Sequence, residues 1–137
     1  MKLLLSISFL FLAMGSTQAK ACSCAPPAPV KDALATSAEV FSGEVLKVEH
    51  LSNGNPFASV RVTLRVIESW KGPLEFEKTL FTASNGAACG VYFREGSQYL
   101  VYASYGRAGL STNLCTRTKS LQFAQDDLDE LGPGQTP

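Results

Sequence analysis

Four cysteines constrain the fold of this chain more than any other feature of its sequence. They are Cys22, Cys24, Cys89 and Cys115, and all of them follow an apolar N-terminal stretch. An even number of cysteines in a small exported domain predicts a framework of two disulfides. A bridge between Cys22 and Cys24 would close a strained ring, so each should pair with a distant partner. Two long-range pairings remain open at this point.

The N-terminal stretch has the order of a secretory signal peptide. Lys2 precedes an apolar run that extends to Met14, and a small, polar segment follows it. The run is too short for a membrane span, which needs about 20 residues. We therefore predict a signal peptide over residues 1–21, removal of that segment, no membrane span, and export to the extracellular space or a periplasm.

The signal peptide has two candidate cleavage sites. Cleavage after Ala21 would make Cys22 the first residue of the mature protein, whereas cleavage after Ala19 would leave Lys20 first. The small residues on both sides of Lys20 favour the first site. A third possibility is that Cys22 carries a lipid anchor. A lysine two residues before the cysteine argues against that possibility.

The remaining sequence predicts one domain over residues 22–132, followed by a flexible tail over residues 133–137. The whole chain is 45% hydrophobic, as is typical of a globular protein, and its formal net charge is zero. Nothing in this charge balance favours binding to nucleic acid. We expect a monomer.

The clearest secondary-structure signal is a period-two alternation. Val60, Val62, Leu64 and Val66 alternate with polar residues, which predicts a strand with one buried face. Four further strands are predicted over Ala38–Glu49, Leu74–Thr82, Gln98–Ala103 and Gly109–Cys115. Gly43 interrupts the first of them and predicts a β-bulge.

The C-terminal part of the domain has a helical pattern. Leu121, Ala124, Leu128 and Leu131 recur at helical spacing, and a Gly-Pro pair follows them. Five strands with turns between them and one C-terminal helix predict a mainly β fold. A five-stranded antiparallel Greek-key barrel (OB-fold) fits this pattern, and a β-sandwich is the alternative.

The sequence offers little for catalysis. His50 is the single histidine of the chain, and it lies between a strand and a turn. Metal-binding histidine pairs, Cys-x-x-Cys motifs and Gly-rich phosphate loops are absent. We therefore predict that the protein is not an enzyme and needs no cofactor. Binding is the remaining class of function.

Several short motifs occur together along the chain. They are Cys-Ser-Cys-Ala-Pro at residues 22–26, Ala-Glu-Val-Phe-Ser-Gly-Glu-Val at 38–45, Trp-Lys-Gly-Pro at 70–73, Phe-Thr-Ala-Ser at 81–84, Cys-Gly-Val at 89–91, Tyr-Leu-Val at 99–101 and Leu-Cys at 114–115. In these motifs and in its cysteine spacing, the sequence resembles the tissue inhibitors of metalloproteinases, which have a netrin-like OB-fold. The resemblance implies the disulfides Cys22–Cys89 and Cys24–Cys115.

The resemblance also implies a secreted inhibitor of zinc metalloproteases. Such a protease keeps one coordination position of its catalytic zinc open for water. In these inhibitors the amine and carbonyl of the first residue take that position, so Cys22 would bind the target's zinc. Ser23 would enter the protease's S1′ pocket. The other implied protease-binding residues are Cys24, Ala25, Pro26, Ala87 and Ala88.

The sequence departs from the family at two places near its start. It has no cysteine near Thr36 for a third disulfide, and Pro27-Ala28-Pro29 replaces a histidine that follows the cysteine motif. The alternative function is a non-inhibitory exported binding or adhesion module. In that case Cys22-Ser23-Cys24 would serve only to staple the fold.

Overall fold

The computed structural model describes residues 22–137, so the predicted signal peptide lies outside the described residues. The strands are β1 (Glu39–His50), β2 (Val60–Lys71), β3 (Glu77–Thr82), β4 (Gln98–Gly106), β5 (Gly109–Ser111) and β6 (Lys119–Ser120). The helices are α1 (Val30–Thr36) and α2 (Gln125–Leu131), and short 3₁₀ turns span Gly86–Ala88 and Leu121–Phe123. None of the helices in residues 22–137 is long and apolar enough to cross a membrane.

The first five strands form a closed barrel, which confirms the predicted fold class. The pairing order is β1-β2-β3-β5-β4, and β4 pairs with β1 to close the barrel. The short β6 lies against β4 outside this ring. One seam of the barrel is parallel, because β3 and β5 run in the same direction where Phe81 faces Ser111. Strand directions cannot alternate all the way around a closed ring with an odd number of strands.

The predicted bulge at Gly43 is confirmed. The register between β1 and β2 shifts between Ser42 and Gly43. A Cβ at Gly43 would lie 3.0 Å from the carbonyl oxygen of Arg65 and 3.2 Å from the Cβ of Leu64. The close approach of β2 therefore favours glycine at this position. The bend lets β1 pair with β2 along its length and with β4 over its first half.

The apolar residues form two cores. The alternating valines and leucine of β2 face the barrel interior together with Phe41, Leu80 and Val101. Val40, Leu100 and Tyr102 point to the opposite side of the sheet, where they pack with Ala33 of α1 and Ala124 beside α2. Strands β1 and β4 are therefore buried on both faces, which is why their sequences lack a clean alternation.

Several predicted element ends differ from the structure. Strand β4 continues past its predicted end at Ala103 to Gly106, and β5 ends at Ser111 instead of Cys115. The predicted C-terminal helix is divided into a 3₁₀ turn and α2 by Ala124. Within the predicted tail, Gln135 forms two backbone hydrogen bonds with Ser69 of β2, each 2.8 Å long.

Candidate functional site

Two disulfides join the N-terminal segment to the barrel. Cys22 is bonded to Cys89, with 5.3 Å between their Cα atoms and a sequence separation of 67. Cys24 is bonded to Cys115, with 5.1 Å between their Cα atoms and a separation of 91. This is the pairing that the resemblance implies. Each bridge closes a loop long enough to stabilise the fold by about 4 kcal/mol in the chain-entropy model.

The segment between the cysteines and α1 has neither helix nor strand. Residues 23–29 are all exposed, and Cys22 is half-buried against its partner. Pro26, Pro27 and Pro29 each fix the backbone near an extended conformation and remove an N–H donor. The segment is consequently stiff without pairing to a neighbouring strand.

The loop that carries Cys89 is held by Asn85. The side-chain oxygen of Asn85 accepts a hydrogen bond from the Ala88 N–H at 2.9 Å, and its carbonyl accepts one from the Gly90 N–H at 2.9 Å. Ala87 is exposed and Ala88 is half-exposed. Cys89 itself has a left-handed backbone with φ of 60°. Sequence reasoning missed Asn85, although an Asn-Gly pair before a cysteine is a typical turn signal.

The Cys22–Cys89 bridge brings the predicted binding residues of both segments to one edge of the molecule. We call residues 22–26 together with Ala87 and Ala88 the ridge. Its side chains offer a serine hydroxyl and small apolar groups, while both cysteines are oxidised. The ridge therefore has surface and backbone groups for binding, and no side-chain acid, base or thiolate for catalysis.

A third segment contacts the ridge and the turn at Cys89. Residues 112–118 form an irregular turn, which we call the hub turn, and it includes Cys115. The Leu114 N–H donates a hydrogen bond of 2.8 Å to the Cys89 carbonyl. The hub turn thus contacts the ridge through the disulfide from Cys115 to Cys24, and through Leu114 it contacts Cys89, which directly follows Ala88 of the ridge. The sequence predicted a strand as far as Cys115, and apart from the implied Cys24–Cys115 disulfide it gave no indication of this role.

A groove of 750 Å³ lies beside the ridge. It runs from Ala87 and Ala88 to the β4–β5 turn, and Phe57 from the β1–β2 connection lines it. The side chain of Phe57 is 71% exposed. A partner bound at the ridge would therefore meet an adjoining apolar depression.

The four sulfur atoms of the cysteines lie within 4.8 Å of one another. Each is consumed in a disulfide, so no thiolate is available as a metal ligand. His50, the single histidine, is exposed at the end of β1 and belongs to neither the ridge nor the hub turn. The ridge therefore offers no thiolate or imidazole to a metal, and its available donors are backbone groups and the Ser23 hydroxyl.

Three curated proteins with similar sequences are all named metalloproteinase inhibitors. The Xenopus laevis protein "Metalloproteinase inhibitor 3" is 30% identical over 129 residues, which are 90% of this chain and 59% of that relative. "Metalloproteinase inhibitor 2" of Canis lupus familiaris is 28% identical over 119 residues, which are 81% of this chain and 54% of the relative. The human "Metalloproteinase inhibitor 2" is 28% identical over 104 residues. No protein-family model matches the sequence.

The barrel, its two disulfides and these similarities together support a TIMP-like domain, as the motifs predicted. The chain spans about half the length of the curated relatives it matches. Those relatives are named as inhibitors rather than enzymes, in agreement with the prediction that this chain is not an enzyme.

Proposed function

We propose that this protein is an exported inhibitor of zinc metalloproteases and that Cys22 binds the target's catalytic zinc. The single observation that carries the proposal is the Cys22–Cys89 disulfide, which fixes the predicted first residue at the exposed ridge. The named function of the relatives supports the same class of target. Export through a removed signal peptide fits the two disulfides, since disulfides persist in oxidising compartments.

The proposed contact uses the backbone of Cys22. When residue 22 is the first residue, its α-amino nitrogen and carbonyl oxygen form a five-membered chelate around a metal. The amine has an ordinary pKa of about 7.7–8.0, so its neutral, metal-binding form is accessible near pH 7. Chelation would displace the zinc-bound water that the protease needs as its nucleophile.

The rest of the ridge would orient this chelate. Ser23 is exposed and follows Cys22 directly, so its short side chain would enter the pocket beside the zinc. Cys24, Ala25 and Pro26 would continue along the cleft, with Ala87 and Ala88 on the other side of the bridge. Because the two disulfides hold the ridge before binding, the ordering cost of association would be low.

The test begins with the exported protein itself. Its N-terminal residue and intact mass are determined, and it is then titrated against a panel of zinc metalloproteases, with a serine protease as control. The proposal expects a chain that begins at Cys22, contains two disulfides and inhibits at least one zinc enzyme at one-to-one stoichiometry. A folded protein in which Cys22 is the first residue, with a free α-amino group, and which inhibits none of these enzymes would favour the non-inhibitory binding module.

A further inference from the structure

Arg117 occupies an unusual position between the ridge segment and α2. Its Nε and Nη2 atoms donate to the two carboxylate oxygens of Asp127 at 2.7 and 2.6 Å. Its remaining Nη1 atom donates to the carbonyl oxygen of Ala28 at 2.9 Å. One guanidinium therefore connects the segment that follows the ridge to the carboxylate of Asp127 on α2, a residue that is only 1% exposed.

The anchor for this arginine is firmly held. Asp127 also accepts hydrogen bonds from the Tyr102 hydroxyl at 3.0 Å and from the Lys119 Nζ at 2.9 Å. Tyr102 is fully buried on β4. The carboxylate is thus fixed from the barrel and from β6 at once, and the planar fork of Arg117 has little freedom to turn.

The hub turn that carries Arg117 is held as well. The side chain of Asn113 accepts from the Cys115 N–H at 2.8 Å, and the Thr112 and Thr118 hydroxyls are 2.7 Å apart. The Thr118 hydroxyl in turn accepts from the Tyr102 N–H at 2.9 Å. Cys115 and Arg117 are therefore presented from one supported turn, two residues apart.

The hub turn binds the N-terminal segment at two points, Cys24 and Ala28. Cys115 holds Cys24 through the disulfide, and Arg117 holds the carbonyl of Ala28. The span between these points contains Pro26 and Pro27 and is stiff. Fixing both ends of a stiff span sets its direction, and the grip on Ala28 gives the N-terminal segment a third fixed point beside the two disulfides.

We propose that Arg117 is a positioning residue for the ridge, acting through the Ala28 carbonyl. The proposal rests on the proposed inhibitory function, for which the direction of the ridge decides how the Cys22 chelate meets the target's zinc. Lysine could keep one contact to Asp127, but it cannot reach both carboxylate oxygens and Ala28 together. The role therefore needs an arginine.

The competing interpretation is that Arg117 serves only to anchor α2. Two variants separate the interpretations. R117K removes the grip on Ala28 and keeps a positive charge near Asp127, whereas D127N weakens the anchor of α2 and leaves a guanidinium free to donate to Ala28. Thermal unfolding reports the stability of each variant. The backbone order parameters of Ala25 and Ala28, measured by NMR, report the rigidity of the segment without any protease.

If Arg117 positions the ridge, R117K should have the larger effect on the order parameters and D127N the larger effect on the melting temperature. R117K should lower the order parameters of Ala25 and Ala28 from the rigid range of about 0.85 towards about 0.6, with a small change in melting temperature. It should weaken inhibition about tenfold, because the loosened segment must then be ordered when the protease binds. D127N should lower the melting temperature more and the order parameters less.

Two outcomes would overturn the role of Arg117. One is an R117K variant whose order parameters match those of the wild type. The other is a pair of variants whose inhibition falls only in proportion to their loss of thermal stability. A rigid wild-type segment that loosens in R117K, in a protein that inhibits no metalloprotease, would support the grip on Ala28 and overturn the proposed function instead.

Discussion

Cys89 is bonded to Cys22 and also has a left-handed backbone, with φ of 60°. It is the one non-glycine residue with positive φ within residues 22–137. The disulfide therefore ends on a tight turn, and this turn places Ala87 and Ala88 beside the N-terminal segment. The ridge depends on the shape of that turn as much as on the bridge itself.

The close packing of this turn predicts that replacing Gly90 lowers the stability of the protein. A Cβ there would collide with the backbone carbonyl of Ala83 and lie 2.9 Å from the carbonyl oxygen of Asn85. G90A should therefore destabilise the protein by about 3 kcal/mol, because backbone atoms must move to make room. The free energy of unfolding in urea is the measurement. G86A is the matched control, since a Cβ at Gly86 meets nothing within 4 Å; equal stability of the two variants would contradict the argument.

The contacts of Asp127 predict how the free energy of unfolding changes at acidic pH. Burial raises the pKa of its carboxyl, but hydrogen bonds from Arg117, Lys119 and Tyr102 outweigh burial and lower the pKa from 3.8 to about 2. A lowered pKa means that the ionised carboxylate stabilises the fold. This stability is fully present above about pH 4 and is lost as the pH falls to about 2, with a maximum of about 2 kcal/mol.

The difference between wild type and D127N isolates this contribution from that of the other acids. The free energy of unfolding of the wild type should fall towards that of D127N as the pH falls from about 4 to about 2. Parallel stability curves for the two proteins over this range would show that the carboxylate of Asp127 is not the titrating group.

The proposed chelate makes a prediction about the pH dependence of inhibition. Only the neutral amine of Cys22 binds zinc, and its ordinary pKa is about 7.7–8.0. Affinity for the target should therefore fall about tenfold per pH unit below about pH 7. The inhibition constant is measured beside that of an active-site inhibitor without an amine, which corrects for titration of the protease. A corrected constant that does not change with pH would argue against a free amine on the metal.

Much of the barrel could be predicted from the sequence because local patterns determine it. The alternation of β2 and the glycine in β1 both specify structure through their nearest neighbours, and both were confirmed. The disulfide pairing was different, since spacing alone left two possibilities and the family resemblance selected one. The parallel seam between β3 and β5 follows from closure of the whole ring, which no single segment encodes.

The supporting half of the site was not predictable from local sequence. Arg117 is one arginine in an irregular segment, and its significance depends on Asp127 ten residues later and on Ala28, 89 residues earlier. The hydrogen bond from Leu114 of the hub turn to Cys89 likewise joins segments that are distant in the sequence. Asn85 is the exception, because its contacts to Ala88 and Gly90 are local. Motifs indicated the residues that we propose to face a partner, while the residues that hold them in place became visible in the structure.

The central claim is that the first residue of the mature chain inhibits by chelation, and one measurement tests it most directly. The wild type beginning at Cys22 is compared with a variant carrying a single alanine before Cys22, against the zinc protease that the wild type inhibits best. The extra residue turns the amine of Cys22 into an amide, which cannot bind zinc, while both disulfides can still form. Chelation predicts that the variant keeps its melting temperature and loses inhibition by at least about a hundredfold, because losing a direct metal ligand should cost at least as much as losing an outer-shell partner of a ligand. Equal inhibition by the two proteins would contradict the claim.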